Sequence, residues 1–152
     1  MQELVEASAR VKSQRQKIDA IEASIRSELE TFEPEIEHFY AHGLYGRKMK
    51  VKAGSVVVGK IHKYESLNIM SMGSALMLMD DGTTCEVCAG LHVIGKPGTR
   101  RVAYFLEDSI WTTMHGTELK EVAEIEKFFI AQTPEEFQLF CDEQTKLPGG
   151  AS

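Results

Sequence analysis

Gly54-Ser-Val-Val-Val-Gly-Lys-Ile-His62-Lys-Tyr64-Glu65-Ser-Leu-Asn68-Ile-Met-Ser-Met-Gly73 is the stretch that decides the fold class. It contains two short strand-like runs, Ser55–His62 and Leu67–Met72, bounded by turn residues. The same texture extends outward. Tyr45–Val51 precedes it, and Ala75–Met79, Thr83–Ala89, Leu91–Ile94, Thr99–Phe105 and Ser109–His115 follow. Asp80-Asp81-Gly82, between two of these runs, is a hairpin signal. Several closely spaced strands of this kind predict an all-β barrel or sandwich.

The flanks read differently. Residues 1–33 lack Pro and Gly, and Leu4, Val11, Ile18, Ile25 and Phe32 recur at steps of seven. That is a narrow apolar stripe on a helix otherwise charged or polar, an imperfect coiled-coil seam. A lone helix with so thin a stripe is marginal in water and needs a surface to cover it. Self-association or docking through Leu4, Val11, Ile18 and Ile25 is the preferred reading; packing along its own barrel is the alternative. Pro34 ends the helix, and residues 35–42 are expected to form a short second helix stopped by Gly43. After the strands, Glu118–Phe129 reads as helical, with Lys127–Ala131 as a possible closing strand. Thr133-Pro134-Glu135-Glu136 is a helix start: a capping hydroxyl, Pro in the first turn, and Glu three residues after the cap. Pro148-Gly149-Gly150 marks a flexible tail.

The chain has 152 residues, enough for one domain with one sizeable core. It is 43% hydrophobic and 26% charged, a globular composition. A net charge of -6 argues against nucleic acid as a partner, because phosphate neutralisation needs a basic surface. It also argues against a polybasic membrane contact, and no apolar run reaches the roughly 20 residues of a membrane span. The N-terminus has no signal-peptide core, so the protein is expected in the cytoplasm. Three cysteines, Cys85, Cys88 and Cys141, are an odd number and suggest reduced thiols. In a strand, Cys85 and Cys88 point to opposite faces, so one buried and one surface thiol are expected rather than a zinc site. Trp111 and the methionines at 70, 72, 77 and 79 are read as core residues.

Gly54 to Gly73, followed by Pro97-Gly98-Thr99-Arg100-Arg101 and by Glu107-Asp108-Ser-Ile-Trp111, resembles the paired signature motifs of the cupin superfamily. The run from Tyr40 to Ile130 is most similar to cupin-like proteins encoded by bacteriophages. The resemblance implies a mainly β fold: one cupin-type, double-sheet jelly-roll barrel over residues 44–131. Residues 1–43 are then an N-terminal helical extension and 132–152 a C-terminal helix and tail. It also implies that His62, Tyr64, Asn68 and Arg101 converge at the barrel mouth. The usual first motif carries His-x-His and a Glu, but here Tyr64 replaces the second His and Asn68 falls near the Glu. In the second motif, Arg101 stands where a His is usual. In such relatives a His often lies where Ser66 lies here. Only His62 remains from the expected metal ligands, and a fixed guanidinium repels a cation. No metal or other cofactor is therefore expected.

His62, Tyr64, Asn68 and Arg101 suit a small anionic or sugar-like ligand, with Arg101 supplying charge and planar donors. The structural alternative pairs Arg101 with an acid such as Asp108 and leaves His62 as a hydrogen-bonded core residue. No catalytic residue is assigned. The preferred role is a non-enzymatic, homo-oligomeric structural or accessory subunit of phage type. Other phage structural proteins are its implied partners, and the virion is a possible location. A small-molecule-binding cupin comes second and a metal-dependent isomerase or dioxygenase third.

Overall fold

A computed structural model of the protein describes residues 1–9, 33–78 and 83–147. Its frame is two antiparallel sheets. One has strands β1 (Glu35–Ala41), β2 (Leu44–Val51), β10 (Ser109–Gly116), β5 (Ser66–Met72) and β8 (Leu91–Gly95), in that spatial order. The other has β3 (Val56–Val58), β9 (Val102–Phe105), β6 (Ser74–Leu78) and β7 (Thr84–Cys88). The chain passes back and forth between the sheets, so strands distant in sequence become neighbours. With β1 set aside, the order β2-β10-β5-β8 against β3-β9-β6-β7 is a double-sheet jelly roll.

The strand runs expected from sequence are all present, with ends moved by a few residues and Ser55–His62 divided into β3 and β4 (Ile61–His62). The β6–β7 hairpin forms, while Asp80-Asp81-Gly82 and Met79 lie outside the described residues. The second helix expected at residues 35–42 is instead β1, an edge strand of the barrel paired with β2. Gly43, with φ +68, turns that hairpin. A left-handed glycine serves a helix end and a hairpin turn equally well, so it cannot separate the two. Pairing also places Glu35 beside Lys50 (3.1 Å) and Glu37 beside Lys48 (3.6 Å), partners a local reading does not see.

Between the sheets lie Met49, Val51, Met70 and Trp111 from one side and Ala75, Met77, Ala103 and Phe105 from the other. Trp111, Met70 and Met77 are thus core residues, as expected. Met72 is not: it is 45% exposed although it shares parity with Met70. The β5–β10 register shifts between Ile110 and Trp111, which leaves Ser71 unpaired and turns Met72 outward. Cys85 and Cys88 both prove exposed, because β7 is the open edge of its sheet; Cys141 is buried.

Helices close one end. α2 (Val122–Phe129) sets Ile125 and Phe129 against Tyr45, and β11 (Ile130–Ala131) pairs with β4. The helical and the strand readings of this region were each right for part of it. α3 (Pro134–Lys146) starts as its sequence specifies: Thr133 Oγ1 accepts from the Glu136 backbone N–H at 3.1 Å. The Glu136 carboxylate accepts from Gln132 N–H at 2.9 Å, one residue before the cap. Residues 2–9 form α1. Its Ala7 is fully buried with Ile61, Ala131, Phe137 and Cys141, and Leu4 packs against the same cluster. Ser8 hydrogen-bonds Gln138 of α3. Leu4, assigned to an intermolecular seam, thus packs half-buried against its own chain's core; Val11, Ile18, Ile25 and Phe32 lie outside the described residues, as does the tail from Pro148. No helix among the described residues is long and apolar enough to cross a membrane.

Candidate functional site: the polar end of the barrel

Side chains alternate along a strand, so each strand sends every second residue inward. In β10 these are Ser109, Trp111, Thr113 and His115, all buried. Strand register then sorts the interior into layers. Trp111 lies beside Met49 and Met70, and Met49 beside Ile36, which makes a dry layer. Two residues on, Thr113 lies beside Arg47 and Asn68, and Arg47 beside His38. Two further on, His115 lies beside Tyr45. One half of the barrel is apolar; the half beneath α2 is polar.

Asn68, 3% exposed, is held on both sides of its amide. Its Oδ1 accepts from Thr113 Oγ1 at 2.9 Å, and its Nδ2 donates to Ser66 Oγ at 3.1 Å and to the Ser66 carbonyl at 3.3 Å. Gly95, paired with Ser66, leaves room for these groups. A methyl at Gly95 would meet Asn68 Nδ2 and Ser66 Oγ at 3.1 Å and an Arg101 guanidinium nitrogen at 3.4 Å. Arg101 therefore projects inward from the start of β9 toward Asn68. The Pro97-Gly98-Thr99 turn is tied to His62: Gly98 N–H donates to the His62 carbonyl at 2.8 Å, and His62 N–H to the Thr99 carbonyl at 3.4 Å. The two stretches that carry the sequence resemblance are thus joined by backbone hydrogen bonds.

His62 stacks on His115 at 5.4 Å, with 22° between the rings, and His115 stacks on Phe129 at 4.2 Å. Burial is the main force on both imidazoles, pushing their pKa values down to about 3 for His62 and about 4 for His115. His115, Arg101, Arg47 and Lys60 add positive repulsion at His62. A hydrogen bond to the Glu65 backbone partly opposes burial at His115. Both rings are neutral near pH 7. The Nδ1 atoms of both are buried without a hydrogen-bond partner.

Of the four pocket residues expected from sequence, His62, Asn68 and Arg101 come together and Tyr64 does not. Tyr64 stacks on Phe128 at 5.0 Å and meets Phe129 and Phe140 edge-on, in an aromatic cluster with the C-terminal helices. Asp108 is not the partner expected for Arg101: it accepts from Ala53 N–H at 2.9 Å and lies 3.7 Å from Lys52, at the start of β10. His92 is exposed on β8, and its Nδ1 lies 3.0 Å from the Gly90 carbonyl oxygen. The sequence reading does not single out Arg47, Thr113 or Tyr45. Parity with Trp111 would have found Thr113 and His115, but nothing local marks Arg47 or Tyr45 as their neighbours.

The metal that many barrels of this fold hold does not fit these donors. Among the described residues, no three His, Cys, Asp or Glu are grouped to hold an ion. The Asn68 oxygen is taken by Thr113, and two guanidinium groups set a field that repels cations. Burial pushes the Cys141 thiol up to about 11, away from the reactive thiolate.

No protein-family model and no curated protein matches the chain. Among solved structures, the chain is similar to a Klebsiella pneumoniae uncharacterized conserved protein with a double-stranded beta-helix domain. That match has a TM-score of 0.49 at 16% identity, covering 60% of this chain and 80% of that one. A cupin superfamily protein from Desulfitobacterium hafniense gives 0.48 at 8% identity, covering 60% and 84%. The Cupin_2 domain of an XRE family transcriptional regulator from Enterobacter cloacae gives 0.47 at 7%, covering 57% and 98%. By its own strand order, the chain folds as a double-sheet jelly-roll barrel with helices at both termini.

Proposed function

We propose that the polar half of the barrel binds a small anionic molecule and that the protein is a binding module rather than an enzyme. The observation that carries this reading is the convergence of Arg47 and Arg101, from opposite sheets, on the neutral His62. Among the described residues, those that strand register places on the same side are His38, Tyr45, Ser66, Asn68, Thr113 and His115. Positive charge in a low-dielectric interior favours an anion strongly, and guanidinium groups recognise carboxylate and phosphate oxygens through paired donors. The phage-type, homo-oligomeric accessory subunit becomes the second reading. It is supported by the reduced metal-ligand set and by the seam on residues 4–32, of which Leu4 packs against its own chain.

Isothermal titration of the full chain with citrate, succinate, inorganic phosphate and sulfate tests the proposal. Saturable binding that weakens with salt is expected for at least one. Arg47→Met should reduce it by about 10-fold to 100-fold, the effect of losing a hydrogen bond to a charged group. Absence of binding by all four at millimolar concentration would overturn it.

A further inference from the structure

The hydrogen-bonding groups of the polar layer define the ligand more narrowly than its charge does. Asn68 is committed at its oxygen to Thr113 and at its nitrogen to Ser66. The His115 ring hydrogen-bonds the Glu65 backbone, yet its Nδ1 has no partner. The bonded nitrogen is therefore Nε2, which donates to the carbonyl, and Nδ1 carries a bare lone pair. His115 is 5% exposed, so bulk water does not reach this atom freely. His62 Nδ1 is likewise buried and unpartnered, on a ring stacked directly against the first.

A buried acceptor left unmet is costly, and polar atoms of this kind mark places where something donates a hydrogen bond. A sulfate, or an ionised carboxylate with no hydroxyl, cannot do so; its oxygens would face the imidazole lone pair with lone pairs of their own. We infer that the ligand is a hydroxylated anion, a hydroxy acid or sugar acid. Its acid group lies toward Arg47 and Arg101, and its hydroxyl donates to Nδ1 of His115. This inference rests on the anion-binding reading above and adds a second requirement to it. Phe129 against one face of His115 and His62 against the other hold the acceptor in place, so the hydroxyl is selected by position as well as by type.

The test uses pairs matched in charge that differ in hydroxyl content: malate against succinate, and gluconate against hexanoate. They are titrated calorimetrically into the full chain at fixed ionic strength and pH 7.5. The hydroxylated member of at least one pair should bind about 10-fold more tightly or better, as when a site rejects an analogue that leaves its polar group unpaired. His115→Phe keeps the ring stack and removes the acceptor. It should abolish the discrimination within each pair. Imidazole nitrogen NMR on the wild-type chain should show His115 protonated at Nε2, with its Nδ1 resonance moving on malate or gluconate addition. Equal affinity within both pairs would overturn the hydroxyl requirement while leaving the anion site standing. A proton found on Nδ1 would overturn it as well. No binding by any of the four would overturn both, with ordered water as the donor to these atoms.

Discussion

The two halves of this barrel are made by the same strands and differ only in position along them. On β10, Trp111 belongs to the dry layer, while Thr113 and His115, inward by the same alternation, line the polar one. On β2, Met49 and Arg47 divide in the same way, as do Met70 and Asn68 on β5. The apolar half is filled by side chains from both sheets, including Phe105 at 2% exposure. The polar half holds cations, neutral imidazoles and an amide with its hydrogen bonds met. If the polar half binds the proposed anion and the apolar half supplies most of the packing, substitutions on one strand should separate the two properties.

The largest expected effect is in the dry half. Phe105→Ala should cost about 3–5 kcal/mol in denaturant unfolding, the usual loss for a buried aromatic. Ligand affinity at the other end should be unchanged in whatever fraction remains folded. A comparable fall in affinity would show that the two halves are not separable.

Acid should act on the polar half. Free histidine titrates near 6.5, whereas the folded rings hold out to about 4 for His115 and about 3 for His62. Between those values the unfolded chain binds more protons than the fold, so stability rises with pH there. The contribution is intact above pH 6.5 and is lost as pH falls through 6.5 toward about 4 and then about 3. The melting temperature of His115→Phe should therefore depend less steeply on pH in this window, by one proton's worth of slope. Parallel curves for the two proteins would mean that His115 is not kept neutral by the fold.

Thr113→Val is smaller and more local. It preserves shape and removes the donor to Asn68 Oδ1, leaving a buried acceptor unmet at a cost of about 1–3 kcal/mol. A stability equal to wild type would show that Asn68 finds another partner and that the polar layer is more adaptable than its hydrogen bonds indicate. The smallest expected effect is no effect at all. Protein purified without chelator should carry no stoichiometric zinc, iron, nickel or manganese, and added zinc should leave the melting temperature where it was. One bound equivalent, lost in His62→Ala, would make the polar half a metal site and remove the contrast drawn here.

Much of the frame was legible locally. Strand runs separated by turn residues predicted the barrel, Thr133-Pro134 predicted the start of α3, and Trp111, Met70 and Met77 were placed in the core. These signals work because hydrophobic period, caps and turns act over a few residues. Local reading failed where an outcome depended on a distant partner. Edge strand β1 passed for a helix because its lysine partners lie on β2. Cys85 is exposed because β7 has no neighbour beyond it. Tyr64 shares parity with His62, yet Phe128 and Phe140 draw it to the helices.

The candidate site divides along the same line. Motif resemblance alone singled out His62, Asn68 and Arg101 and argued against a metal. Only tertiary structure brought Arg47, Thr113 and His115 beside them, because a strand's alternation determines which side a residue takes but not which strand lies next to it. That neighbour is determined by the jelly-roll crossing, which sets β10 between β2 and β5 although more than 35 residues separate it from either. The neutral histidines have the same origin: an imidazole's charge at pH 7 depends on burial and on nearby cations, and both are properties of the assembled barrel.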